Sequence, residues 1–255
     1  MLTVNHLSIK YGDRTIVNDI SFELTPGKVV VLIGPNGSGK TTIIRGITGA
    51  VPLEGGNICF GQTDMKTLSE VERARKIGVV PQSSHLPDDF TVYNTVALGR
   101  TPYLGFMGRL SDSDKQIVDH AIRETSIESL QDKNIKSLSG GEQQRVILAQ
   151  ALAQDAPIMI LDEPTSHLDL NYKLSLLTIV KNLSREKNVA VLMVLHDLNL
   201  ASRFADEILI LKNGLLQAAG DPAEVMTEKT LSSVYQVPMS VITLEESPYP
   251  MVVPK

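Results

Sequence analysis

One stretch constrains this chain more than any other: Gly34-Pro35-Asn36-Gly37-Ser38-Gly39-Lys40-Thr41-Thr42. It follows the apolar run Val29 to Ile33. It precedes Ile43, Ile44 and Ile47, whose spacing suits the buried stripe of a helix. The stretch therefore reads as a strand, a glycine-rich turn and a helix N-terminus. Gly34, Gly39, Lys40 and Thr41 fill the pattern G-x-x-x-x-G-K-[ST] without a mismatch. Glycines let backbone N–H groups turn inward and approach an anion closely. The helix that follows adds unpaired N–H groups and roughly half a positive charge. Lys40 supplies a mobile charge for the β- and γ-phosphates of a triphosphate. The Thr41 hydroxyl suits Mg2+, which prefers oxygen ligands and keeps several waters.

Around this core the pattern is mixed. Residues 2–10 and 16–24 read as strands, because Leu7 and Ile9, then Ile20, Phe22 and Leu24, alternate with polar neighbours. Tyr11-Gly12-Asp13-Arg14 and Pro26-Gly27-Lys28 read as turns. Gly55-Gly56 reads as a break before a short strand, Asn57 to Phe60, and 66–76 as a helix. Ile77 to Val80 reads as a buried strand that ends at Pro81-Gln82. From 83 to 154 strand-like runs vanish. Ser111-x-x-Asp114 resembles a capping box ahead of Ile117, Val118, Ala121 and Ile122 on one face. Thr101 to Met107 reads as a loop with Tyr103, Phe106 and Met107, either a docking surface for a partner or a loop tucked on its own domain.

Three further stretches carry chemistry. Leu138-Ser139-Gly140-Gly141-Glu142-Gln143 has capping-box spacing, yet two adjacent glycines are poor helix formers, each costing about 1 kcal/mol against Ala. Close approach to an anion at a helix N-terminus is a physical reason for them. Ile158-Met159-Ile160-Leu161 has no alternation, as a central parallel strand requires, and Asp162-Glu163 follows at its C-terminal end. Asp162 can hold Mg2+, directly or through water, and Glu163 can orient or deprotonate a water that attacks a γ-phosphate. Val189 to Leu195 is a second such run and ends at His196-Asp197, so His196 can reach the same phosphate. Lys212-Asn213-Gly214 between two apolar runs is a hairpin signal. Beyond Asp221-Pro222 a short helix and a tail with Pro248, Pro250 and Pro254 carry no legible chemistry.

Composition sets the outer limits. With 255 residues, 42% of them hydrophobic, the chain can bury a large core in one or two domains. A net charge of -5 argues against a nucleic-acid surface as the main business. Cys59 is the single cysteine, so no internal disulfide forms, and Ile58-Cys59-Phe60 reads as apolar packing. No apolar run approaches the ~18 residues of a membrane span. The N-terminus lacks a charged-then-apolar signal pattern. A soluble, cytoplasmic chain is expected.

The P-loop, Leu-Ser-Gly-Gly-Glu-Gln, strand-Asp162-Glu163 and strand-His196, in this order, resemble the ATP-binding subunit of ABC transporters over about residues 1 to 235. The resemblance implies an α/β P-loop NTPase (RecA-like) core, with an antiparallel β-subdomain and an inserted helical subdomain. On that pattern, 1–82 and 155–225 form the nucleotide core with its β-subdomain, 83–154 the helical subdomain, and 226–255 a C-terminal extension. Two copies would pair head to tail, with Ser139, Gly140 and Gly141 of one binding the ATP held by the other's P-loop (Gly34 to Thr42). Tyr11 matches the aromatic that stacks on adenine. Gln82 matches the glutamine that senses Mg2+ and water, and Asp169 in Ser166-His167-Leu168-Asp169 matches the loop that links the two sites. The spelling His167-Leu168-Asp169-Leu170, with Leu98-Gly99-Arg100-x-Pro102 and Val237-Pro238-Met239-x-Val241-Ile242, resembles subunits serving importers of iron-siderophores, haem and cobalamin. The implied partners are a second copy, separate integral membrane permease subunits and an extracytoplasmic substrate-binding protein, with no nucleic acid, and the chain itself would lie peripherally at the cytoplasmic face of the cell membrane. A soluble ABC ATPase in repair or translation, or the ATPase of an exporter, stands as the alternative.

Overall fold

Two sheets share a core beneath the P-loop. The computed structural model describes residues 1–82, 86–105, 108–166, 168–243 and 249–255. The front layer is antiparallel. β1 (Leu2–Tyr11) and β2 (Arg14–Leu24) pair through the Gly12 turn. The central sheet begins with β3 (Val29–Ile33), followed by α1 (Lys40–Thr48). β4 (Gly55–Phe60) returns to β1, and β5 (Thr63–Asp64) completes the order β2-β1-β4-β5. The expected break at Gly55-Gly56 is thus the start of a strand. Gly56 has φ +79, and a Cβ there would stand 2.2 Å from the Asn5 carbonyl oxygen, so glycine lets β4 close on β1. The helix expected over 66–76 is shorter. A 3-10 turn, Met65–Thr67, precedes α2 (Glu70–Ala74), capped by Ser69.

β6 (Ile77–Val80) leads into the helical part: α3 (Val92–Ala97), α4 (Asp112–Glu124) and α5 (Gly140–Ala153). Both expected capping boxes, at Ser111 and at Ser139, are formed. These helices bury their own cluster, including Val92, Val96, Val118, Ile122, Ile127 and Val146. The expected loop over 101–107 is in part a 3-10 helix, Leu98–Tyr103. Tyr103 is half-buried, with the Arg100 guanidinium 3.9 Å and that of Arg75 5.2 Å from its ring centre, so it packs on its own chain. Phe106 and Met107 lie outside the described residues.

The chain then alternates. β7 (Ile158–Asp162), α6 (Leu170–Glu186), β8 (Ala190–Val194), α7 (Leu198–Phe204), β9 (Glu207–Lys212) and β10 (Leu215–Gly220) build a sheet of order β10-β9-β3-β8-β7-β6. All neighbours in it are parallel except β10 on β9, the hairpin expected at Asn213-Gly214. Val30, Leu32, Ile160 and Leu192 face the antiparallel layer's cluster, whereas Val31, Ile33, Met159 and Val191 face the helices. Burial on both faces explains the unbroken apolar runs. The tail is more ordered than its sequence suggests. α8 (Pro222–Val225) and α9 (Glu228–Tyr235) precede a two-stranded ribbon of β11 (Met239–Ile242) and β12 (Met251–Pro254). Pro248 lies outside the described residues. Among the described residues no helix is long and apolar enough to cross a membrane.

Candidate active site

Four parallel strands deliver the site. β3 ends at the P-loop, β6 at Pro81-Gln82, β7 at Asp162-Glu163 and β8 at Leu195-His196. These carboxyl ends share one edge of the sheet, where open α/β sheets take ligands.

Gly34 opens the P-loop at φ +151, and a Cβ there would stand 2.2 Å from the Leu211 carbonyl oxygen, so only glycine fits. Pro35, Asn36 and Gly37 form the outer bend, with Asn36 and Gly37 exposed. Gly39, at φ +107, is the N-cap of α1 and brings no side-chain cap. The first N–H groups of α1, those of Lys40, Thr41 and Thr42, are therefore left for an anion. Ser38 is buried and its hydroxyl has no hydrogen-bond partner among the described residues. Lys40 is buried, and its Nζ donates to the carbonyl oxygens of Gly34 at 2.8 Å and Pro35 at 3.0 Å. Burial holds the Lys40 ammonium below its ordinary pKa, and the Glu163 and Asp162 carboxylates pull it back up.

Asp162 closes β7, buried, with its Oδ1 unpartnered among the described residues. Burial pushes its carboxyl above the usual value, Thr41 hydrogen-bonding opposes the rise, and the Glu163 charge adds to it. A buried, unpartnered carboxylate oxygen beside a hydroxyl is the donor chemistry that Mg2+ takes. Among the described residues no three His, Cys, Asp or Glu side chains gather as a metal cage. Thr41 and Asp162 therefore fit an ion that draws its other ligands from water and phosphate oxygens.

Glu163 sits at φ +51, a left-handed conformation that is uncommon outside glycine. Its Oε1 lies 2.5 Å from His196 Nε2, while Oε2 accepts from Gln82 Nε2 at 2.7 Å and from the Ser166 hydroxyl at 3.3 Å. Three residues expected from separate stretches, Gln82, Glu163 and His196, thus meet on one carboxylate. Ser166 was not singled out by its type. Its three-residue spacing from Glu163 across a turn is the signal that finds it.

The other expected residues lie apart from this cluster. Tyr11 ends β1, 43% exposed. Asp169 caps α6, accepting from the Tyr172 N–H at 2.9 Å. Ser139, Gly140 and Gly141 open α5, where Glu142 Oε2 accepts from the Ser139 N–H and hydroxyl, each at 2.8 Å. Among the described residues no hydrogen bond joins this helix end to the P-loop. The two glycines differ. A Cβ on exposed Gly140 would meet nothing within 4 Å, whereas one on Gly141 would stand 2.8 Å from Cδ1 of Tyr172. Gly141 therefore has a packing reason in its own chain, beside the anion reason expected for the pair. His167 lies outside the described residues.

A P-loop at a sheet edge, an acidic pair on the next strand but one, and a separate helical subdomain opening on Ser-Gly-Gly define a P-loop ATPase of cassette type. Residues 17–166 match the sequence profile described as ABC transporter, and the chain belongs to that family. It is 37% identical over 242 residues to the iron(3+)-hydroxamate import ATP-binding protein FhuC of Bacillus subtilis (strain 168), covering 95% of this chain and 90% of that relative. A chain of a metal-chelate type ABC transporter in an inward-facing conformation superposes with TM-score 0.87 at 26% identity, over 100% of this chain and 97% of that one. A dimeric ATP-binding cassette in a post-hydrolysis state, bound to ADP and Pi, superposes with TM-score 0.75 at 27% identity, over 87% and 98%. The chain is an ATP-hydrolysing cassette of this family.

Proposed function

We propose that this chain energises a membrane importer for an iron-siderophore, haem or cobalamin-type metal chelate, by ATP-dependent head-to-tail closure of two copies. One observation carries the clamp: the N-terminus of α5 opens on Ser139 and Gly140 at the surface and, among the described residues, has no hydrogen bond to its own P-loop. A second copy would supply the nucleotide that Ser139, Gly140 and Gly141 bind. Residues 83–154 act as the helical subdomain that carries this helix end, against a nucleotide core of 1–82 and 155–225, with 226–255 as an extension.

Within one site, Gly34 to Thr42 cradle the phosphates and Tyr11 stacks on the adenine. Glu163 orients or deprotonates the attacking water, His196 contacts the γ-phosphate, and Gln82 joins the water to the helical subdomain. Thr41, Asp162 and Gln82 hold Mg2+, which when bound draws charge from the phosphates. Asp169 links the two sites of the dimer. Membrane permeases dock in a groove of about 440 Å³ that includes Pro81, Leu86, Leu98, Pro102 and Ile147. The chain would then sit at the cytoplasmic face of the membrane, with a substrate-binding protein on the far side. The cargo class rests on the names of the iron-hydroxamate relative and the metal-chelate transporter.

Glu163→Gln is expected to keep ATP binding and to trap a dimer seen by light scattering in ATP. A wild-type ATPase rate in that variant would remove Glu163 from the chemistry. Affinity purification from gently solubilised membranes is expected to recover a stoichiometric many-helix protein. Recovery instead with ribosomes or nucleic-acid enzymes would favour the soluble reading.

A further inference from the structure

We propose that Tyr172 is a positioning residue that fixes the Ser139–Gly141 helix end to the Asp169 cap, so that both present to a second copy as one rigid edge. This rests on the clamp reading above. Tyr172 lies in the first turn of α6, and its N–H holds the Asp169 carboxylate at 2.9 Å. Its ring lies against the first turn of α5. A Cβ at Gly141 would stand 2.8 Å from Cδ1, 3.0 Å from Cε1 and 3.1 Å from Cγ, so the ring contacts bare backbone. One turn further along α5, the Arg145 guanidinium lies 5.4 Å from the ring centre and donates to the Ser175 hydroxyl at 3.0 Å. Ser175 is in turn one turn beyond Tyr172.

Two residues on one face of α5, Gly141 and Arg145, therefore grip two on one face of α6, Tyr172 and Ser175. Neither helix end can rotate without opening the ring contact or the Arg145 bond. The grip joins elements of different origin. α5 belongs to the helical part, while Asp169 follows Glu163 on the strand-end segment of the core. Tyr172 is only half-buried, so its large ring is not needed to fill either core. A tyrosine there is better explained by what it positions. The tight contact also accounts for Gly141 in a helix turn where glycine is unfavourable.

The test uses the full chain carrying Glu163→Gln, alone and with Tyr172→Ala or Tyr172→Phe. The ATP concentration at half-maximal dimerisation is read by light scattering. ATP affinity of the separate chains is read by fluorescence titration at concentrations where they are monomers, and folding by thermal melting. Tyr172→Ala is expected to raise the dimerisation midpoint about tenfold. Per-chain ATP affinity should stay within about twofold. Tyr172→Phe keeps the ring, its Gly141 contact and the cation–π contact, and should match the parent. A Tyr172→Ala chain that dimerises like the parent overturns the inference and leaves the clamp standing. So does a Tyr172→Phe chain that loses as much as Tyr172→Ala. A parent that stays monomeric in ATP overturns the clamp reading, and this inference with it.

Discussion

Asp162 is 5% exposed, and its Oδ1 has no hydrogen-bond partner among the described residues. Burying an ionised carboxylate with an unmet oxygen opposes folding, which is why its carboxyl is pushed above the ordinary value. A residue kept for a ligand rather than for the fold behaves this way. Asp162→Asn is therefore expected to stabilise the nucleotide-free chain by about 1 kcal/mol, raising Tm by roughly 2–4 °C. The same change should abolish the Mg2+-dependent part of ATP binding and the ATPase rate. Calorimetry with and without Mg2+ checks both halves, and a lowered Tm would show that the carboxylate serves the fold. Lys40 belongs to the same scale, because among the described residues its Nζ donates to carbonyl oxygens of its own loop. Lys40→Ala is expected to cost most of the ATP affinity in a titration, and wild-type affinity would refute its role.

Elements carry their own predictions, and α4 carries the sharpest. Arg100, buried, donates from Nε to Asp114 Oδ1 at 2.9 Å and from Nη1 to the Ala153 carbonyl at 2.9 Å. Removing the carboxylate strands a buried guanidinium, so Asp114→Asn should cost about 3 kcal/mol. The Ser111 hydroxyl and N–H, and then Arg100, hold the Asp114 carboxyl below the usual range. A depressed acid stabilises the fold above its unfolded pKa and loses that contribution as pH falls through the folded one. The Tm gap between wild type and Asp114→Asn should thus be full at neutral pH and shrink in acid below the ordinary carboxylate range. A pH-independent gap would point to lost packing alone. Such elements were legible where the cause is local. Capping boxes at Ser111 and Ser139, and the unbroken runs of β3, β7 and β8, follow from nearest neighbours. What stayed hidden was set by distant partners. The 101–107 loop stays open between docking and tucked readings because the Arg75 that stacks on Tyr103 lies on another element, and Gly56 reads as a break because its reason is the Asn5 carbonyl. In the site, Gln82, Glu163 and His196 are each legible at a strand end, but their meeting on the Glu163 carboxylate depends on a strand order that no local pattern contains.

At the scale of the whole molecule, the C-terminal ribbon packs on α7, the helix that follows His196. Asn199, on the helix just after His196, accepts from the Val252 N–H at 2.8 Å and donates to the Val252 carbonyl at 3.2 Å. The Ser202 hydroxyl donates to the Pro250 carbonyl at 2.8 Å. β12 therefore acts as an extra wall for α7, and buried Val252 and Met239 join the same apolar cluster as Leu200 and Phe204. Ending the chain after Gln236 removes both buried side chains, each contributing about 1.5–3 kcal/mol, together with the Asn199 pair. The truncated chain should melt markedly lower. The P-loop is set instead by β3, α1 and the Leu211 carbonyl, whereas the ribbon packs chiefly on α7 and α9. ATP affinity should accordingly remain within about twofold of wild type. The ATPase rate should fall several-fold, because α7 is free to shift and carries with it the turn that aims His196 at Glu163. Titration and steady-state rates at a temperature well below both melting points separate the two effects. An unchanged rate there would show that β8 alone fixes His196 and that the ribbon serves stability only.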